Sequence, residues 1–170
     1  MKHTLVALME DKPGVLNRVV SLFRRRNFNI DSLAVGHTET PSISRMTIVV
    51  DSENTLVEQV SKQLYRLIEV LKVSDVTEDP HVARELVLVK VHAPAARRGE
   101  ISSLAEVFGA RIADVAHDSL MLELTASPDK IESFVELVRP FGIKEMVRTG
   151  RVAMVRGTPM HAADTYVRVA

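Results

Sequence analysis

The spacing of apolar residues changes in the same order twice along the chain, and this repeat constrains the fold more than any other feature. Short apolar or alternating runs predict strands, whereas apolar residues three and four apart predict one face of a helix. In each half of the chain these patterns come in the order strand, helix, strand, strand, helix, strand. The order of elements is therefore βαββαβ, repeated once.

The predicted elements follow directly from these patterns. In the first half they are a strand at 5–9, a helix after Pro13, strands at 29–38 and 43–51, a helix along 56–67 and a strand at 70–73. In the second half they are a strand at 85–92, a helix along 101–108 ending at Gly109, strands at 111–117 and 120–125, a helix along 131–138 and a strand at 143–149.

Two βαββαβ units in tandem predict an α+β protein made of two ferredoxin-like sandwiches, each with a four-stranded antiparallel sheet under two helices. The predicted domains are 1–78 and 84–157, with a polar linker at 79–83 and a loose tail at 158–170. A sandwich of this size buries a modest core and leaves sheet edges open. Edge-to-edge pairing would stabilise such a domain and create concave seams.

Charge and cysteine content narrow the functional classes. Residues 1–78 carry 10 basic and 10 acidic side chains, and residues 79–170 carry 12 of each, so neither half has the basic surface of a nucleic-acid binder. The chain has no cysteine, which excludes disulfides and thiolate metal sites. The N-terminus lacks a long apolar run, so we expect neither a signal peptide nor a membrane span. We therefore expect a cytoplasmic protein.

Catalytic and RNA-binding sites are both disfavoured. The six histidines are scattered without metal-ligand spacing, and no nucleophile–base pair is evident, so we expect no catalytic residue and no metal or cofactor site in this chain. An acylphosphatase-like enzyme on the same sandwich would need an arginine in the first turn, where the chain has Lys12. An RNA-recognition sheet would need aromatic residues on its central strands, whereas aromatics make up 4% of the chain.

The stretch DKPGVL, residues 11–16, joins the first strand to the first helix and suggests a binding site for a free α-amino acid. A helix start leaves backbone N–H groups near Gly14 and Val15 free to bind a carboxylate, and glycine permits close approach. Asp11 could meet an ammonium group. Asn29 and Ile30 begin the second strand, which we expect at a neighbouring end, where they could supply an amide and an apolar contact. A turn with ordinary caps explains the same residues equally well.

These residues resemble a known family. The pattern D-x-P-G-V-L followed by N-I is similar to the ACT domain, a small-ligand sensor of βαββαβ order. Four longer segments resemble the regulatory (small) subunits of acetolactate synthase, also called acetohydroxyacid synthase: SRMTI at 44–48, EQVSKQLYRL at 58–67, VLKV at 70–73 and RELVLVKV at 84–91. The resemblance covers about residues 1–157.

The resemblance implies a non-catalytic subunit that activates a catalytic large subunit and makes it sensitive to feedback, usually by valine. Thiamine diphosphate, Mg and FAD are then expected only on that partner. The family's effector site lies at the seam of an ACT–ACT homodimer, and the matching positions are Asp11, Gly14, Val15, Asn29 and Ile30. Some members carry Asn at position 11. A stand-alone amino-acid-binding module acting on transcription or on another enzyme remains the alternative.

Overall fold

The computed structural model describes residues 2–25, 28–51 and 54–157, and for residues 54–56 it describes the backbone alone. The predicted tail, 158–170, lies outside the described residues. No described helix has the length and apolarity needed to cross a membrane.

Two compact units divide the chain. The first contains the residues up to Val82 together with those from Arg151 onward, and the second contains Ala83–Gly150. The elements of each unit follow the order βαββαβ, and four strands in each unit form an antiparallel sheet. The predicted fold class is therefore confirmed.

The first unit is built from six elements before the chain enters the second. They are β1 (Lys2–Glu10), α1 (Val15–Arg25), β2 (Ile30–His37), β3 (Ile43–Asp51), α2 (Asn54–Leu64) and β4 (Val70–Asp75). The sheet order is β2-β3-β1-β4, and every neighbouring pair is antiparallel. β1 and β2 are therefore parallel to each other, with β3 between them.

The core of the first unit explains the apolar runs at its centre. Residues of β1 such as Leu5 and residues of β3 such as Ile48 pack with the buried faces of α1 and α2. The intervening residues on the other face of the sheet, including Val6 and Val49, are buried as well. Burial on both faces explains the continuous apolar stretches at 5–9 in β1 and 48–50 in β3.

The second unit repeats the arrangement. Its elements are β5 (His81–His92), α3 (Arg98–Phe108), β6 (Arg111–Val115), β7 (Ser119–Ala126), α4 (Pro128–Val138) and β8 (Ile143–Arg148), with short 3-10 helices at Ala95–Arg97 and Arg139–Phe141. The path through the sheet is β6-β7-β5-β8. α3 stops at Gly109, whose φ of +70° is the left-handed conformation that ends a helix without a Cβ penalty.

A further strand, β9 (Val152–Val155), follows β8 and was not predicted from the sequence. It belongs to the first unit. The guanidinium of Arg45 donates to Ala153 O (2.6 Å), and Arg151 N donates to the Ser32 hydroxyl (2.7 Å). A four-residue strand is too short to give a periodic signal of its own. Its position depends on contacts with residues that are distant in sequence.

Candidate functional site

Gly14 shapes the loop between β1 and α1. Its φ is +86°, a left-handed conformation that strains residues carrying a Cβ. A Cβ built at Gly14 would meet no heavy atom within 4 Å. The backbone angle, and not crowding, therefore requires glycine here, and the space beside the loop is open.

The start of α1 leaves several backbone donors free, although Val15 N, which was expected among them, has an acceptor. Arg18 N donates to Gly14 O (3.1 Å), and Val15 N makes a long bond to Lys12 O (3.4 Å). The described residues provide no acceptor for the N–H groups of Gly14, Leu16 and Asn17. Donors at a helix N-terminus, aligned with the positive end of its dipole, suit a carboxylate ligand.

Asp11 and Val15 flank Gly14 but differ in what they can offer a ligand. The Val15 side chain is 4% exposed and packs in the core, so that residue presents only its backbone. Asp11 is exposed, and its N–H donates to Ser42 O (2.8 Å) at the β2–β3 turn. Its carboxylate lies 3.1 Å from Nδ1 of His37, at the end of β2.

His37 is a residue that sequence reasoning missed at this site. In the sequence it is one of six scattered histidines, and no local spacing relates it to Asp11. The hairpin register, in which His37 pairs with Ser44, is the signal that could have placed it. Once β1 is known to pair with β3, the last residue of β2 must lie beside the loop after β1.

Asn29 and Ile30 lie at the opposite end of the sheet, so the expectation that they neighbour Gly14 is wrong within one chain. Ile30 pairs with Val50, which also pairs with His3 at the start of β1. Parallel strands begin at the same end of a sheet, and the length of β2 separates the two groups by roughly 20 Å. The structure thus brings Asp11, Gly14 and Val15 together and leaves Asn29 and Ile30 apart.

The surroundings of Asn29 are polar and exposed. Its amide donates to Asp31 Oδ1 (3.0 Å), and Lys2 Nζ lies 3.0 Å from Asp31 Oδ2. Ile30 is half-buried and packs against the edge of the core. The register of β2 shifts between Ile30 and Ser32, so Asp31 sits at an irregularity on the edge strand.

The two edges of the first sheet differ. On β4, the Tyr65 hydroxyl donates to Val73 O (3.0 Å) and accepts from Val73 N (3.1 Å). These backbone groups point away from β1, so Tyr65 occupies the free edge. In the described part of the chain, no side chain bonds to the backbone of β2 in this way. β2 therefore presents the open edge.

An apolar surface accompanies that open edge. Leu16 and Val20 of α1 are 45% and 40% exposed, and Val35 of β2 is 46% exposed. Arg18 points toward the turn before β4. Leu16 and Val20 are each two residues from Arg18, a rotation of about 200°, so they lie on nearly the opposite side of the helix. Leu16 and Val20 thus lie on the flank of α1 that faces away from β4.

The described residues contain no group of three or more histidine or acidic side chains arranged to hold a metal ion. The free donors of the β1–α1 loop and the exposed amide of Asn29 are suited to binding an ionised small molecule rather than to covalent chemistry.

Comparisons with known proteins identify both halves of the chain. A family model described as the small subunit of acetolactate synthase matches residues 84–157, and one described as the AHAS small subunit-like ACT domain matches residues 5–72. The resemblance drawn from the sequence motifs is therefore confirmed.

Curated relatives match over nearly the whole chain. A probable acetolactate synthase small subunit of Archaeoglobus fulgidus is 58% identical over 157 residues, covering 92% of this chain and 98% of the relative. The acetolactate synthase small subunit of Bacillus subtilis is 46% identical over 166 residues, covering 96% of each. The crystal structure of the small subunit from Thermotoga maritima, 39% identical, covers 94% of this chain and 99% of its own, with a TM-score of 0.85.

Proposed function

The chain belongs to the family of acetolactate synthase small subunits, and from this membership we propose that it is the regulatory subunit of an acetolactate synthase. It activates a thiamine-diphosphate-dependent catalytic subunit and confers feedback inhibition by valine on branched-chain amino acid synthesis. The chain itself carries out no catalytic step. Thiamine diphosphate, Mg and FAD belong to the catalytic partner.

The observation that carries this proposal is the open β1–α1 loop. Three backbone N–H groups at Gly14, Leu16 and Asn17 have no acceptor in the described residues and surround a glycine with free space beside it. Such a loop holds the carboxylate of an amino acid. Asp11 then provides the counter-charge for the ammonium group.

A second copy of the chain completes the site. Two β2 edges can pair antiparallel about a two-fold axis, which is the symmetry of most homodimers. An axis through the middle of β2 places Ile30 of the second copy opposite His37, which contacts Asp11. Asn29 of the second copy then lies beside the loop. The separation of the two residue groups within one chain therefore supports a site shared between copies.

Edge geometry favours this pairing over the alternatives. Tyr65 occupies the edge of β4, whereas β2 is open and accompanied by exposed Leu16, Val20 and Val35. A homodimer through β2 buries these apolar side chains and gives the unpaired strand a partner. The amino acid side chain would lie against the apolar part of the seam, beside Ile30.

The size of the effector limits its affinity. An amino acid of about eight non-hydrogen atoms gains roughly 4–6 kcal/mol, which corresponds to dissociation constants from millimolar to tens of micromolar. Binding alters the catalytic partner only if the effector prefers one arrangement of the seam. A coupling of about 1–3 kcal/mol gives several-fold to hundredfold inhibition.

The direct test is an assay of an acetolactate synthase large subunit with and without this chain across a valine titration. We expect the chain to raise the synthase activity and valine to lower it again only when the chain is present. Leucine and isoleucine titrations under the same conditions identify the preferred effector. A large subunit that neither binds nor responds to the chain would contradict the proposal.

A further inference from the structure

The β1–α1 loop is attached at both ends to one residue, Glu69, in the turn before β4. The main-chain oxygen of Glu69 accepts from Glu10 N (2.9 Å), at the end of β1. The Glu69 carboxylate pairs with the guanidinium of Arg18, in the first turn of α1. Arg18 N donates in turn to Gly14 O (3.1 Å). The turn before β4 thus holds the chain immediately before and immediately after the loop.

Each residue of this ion pair lies at a position that is unfavourable for its own charge. Glu69 is 8% exposed, and its Oε2 atom has no hydrogen-bond partner among the described residues. Burying a carboxylate is costly unless it is paired. A cation in the first turn of a helix is unfavourable against the helix dipole. Each residue therefore depends on the other, which links their positions.

We propose that Arg18 and Glu69 are positioning residues that set the affinity of the β1–α1 loop for its amino acid effector. This inference rests on the proposed function, because it concerns the same site. The pair fixes the N-terminal end of α1 against the start of β4 and so holds the free N–H groups around Gly14 in a binding geometry. Neither side chain contacts the effector.

Replacing Arg18 by methionine keeps its apolar stem and removes the charge. Among the described residues Arg18 is the one ion-pair partner of Glu69, and the nearby carboxylate of Glu10 is paired with Lys12 Nζ (2.6 Å). In Arg18→Met the buried carboxylate of Glu69 loses this partner, so the turn before β4 and the loop attached to it should shift.

The experiment measures valine binding to the full chain by titration calorimetry. Arg18→Met should bind roughly fivefold to tenfold more weakly than wild type, and Arg18→Lys, which keeps a cation at this position, should bind more tightly than Arg18→Met. The double variant Arg18→Met/Glu69→Gln should bind no more weakly than Arg18→Met, because both changes remove the same interaction. The control, Arg24→Met, removes an exposed arginine from the other end of α1 and should bind like wild type.

Glu69→Gln keeps the size of the side chain and should weaken valine binding several-fold, which decides the question even if Arg18→Met does not fold. Wild-type affinity in Glu69→Gln would overturn the inference. So would losses in Arg18→Met and Glu69→Gln that add up in the double variant, since the two side chains would then act independently. A wild-type chain that binds no branched-chain amino acid would overturn the proposed function and this inference with it.

Discussion

Asp11 places a negative charge in a loop whose free N–H groups attract anions, and His37 lies beside it. A carboxylate here opposes the field of the helix N-terminus, whereas an imidazolium 3.1 Å away offsets that effect when it is protonated. The ammonium group of an amino acid would provide the same compensation. At the residue scale, the loop therefore suits a zwitterion better than a simple anion.

Gly14 offers the sharpest test at this scale because two substitutions separate charge from strain. Gly14→Ala and Gly14→Asp both place a Cβ at a φ of +86°, at a similar cost of about 1 kcal/mol or more. Gly14→Asp also adds a carboxylate to the loop that we propose binds the carboxylate of the effector. We expect Gly14→Asp to abolish valine inhibition of the reconstituted synthase and Gly14→Ala to weaken it.

The site assignment is wrong if Gly14→Asp retains valine inhibition with the wild-type concentration dependence. Equal losses in Gly14→Ala and Gly14→Asp would instead attribute the effect to backbone strain. Because the space around the Gly14 Cβ position is empty, steric crowding does not complicate the comparison.

At the scale of elements, three sides of α1 have three different surroundings. One flank packs Val19 and Phe23 into the core, a second points Arg18 toward Glu69, and a third exposes Leu16 and Val20. α1 can therefore fix the position of the β1–α1 loop on one side and contribute to an apolar interface on the other.

The edge of β4 provides a prediction about assembly. Tyr65→Phe removes the hydroxyl that bonds both polar groups of Val73 and should cost about 1 kcal/mol of folding stability. It also frees the edge for pairing with other chains. We expect light scattering after size exclusion to show species larger than those of wild type as concentration rises.

Tyr166→Phe, a change at the other tyrosine of the chain, is the control for that experiment and should leave the assembly state unchanged. If Tyr65→Phe remains the same size as wild type across the concentration range, the hydroxyl is not what closes the edge of β4.

At the scale of the whole molecule, the shared site predicts complementation between two inactive variants. A Gly14→Asp chain lacks a working loop, and an Asn29→Leu chain lacks the amide. In a mixed dimer, the intact loop of one chain meets the intact Asn29 of the other, so one site in two is restored. Random mixing gives half mixed dimers, so about a quarter of the sites should bind valine.

Calorimetry on the separate variants and on their co-expressed mixture measures this fraction. Were the site contained within one chain, each chain of the mixed dimer would carry one defect and no binding would return. Binding by the mixture that equals the sum of the separate variants would therefore contradict the shared seam.

Much of the fold follows from the sequence because local periodicity reports secondary structure directly. The change from a continuous apolar run to a period of 3.6 at Pro13, and the left-handed stop at Gly109, depend on neighbouring residues alone. The apolar run at 5–9 and the alternation of Met46, Ile48 and Val50 within 43–51 predict two of the strands. β9 was not predicted, because its position depends on contacts with Ser32 and Arg45.

The sequence by itself determined which groups could bind an amino acid, since Gly14 and the first amides of a helix have that chemistry wherever the helix lies. Only the tertiary structure decided where those groups are. Strand direction and register place Asn29 and Ile30 at the far end of the sheet from Gly14 and bring His37 to Asp11. These positions depend on pairings between strands distant in sequence, which no local pattern encodes.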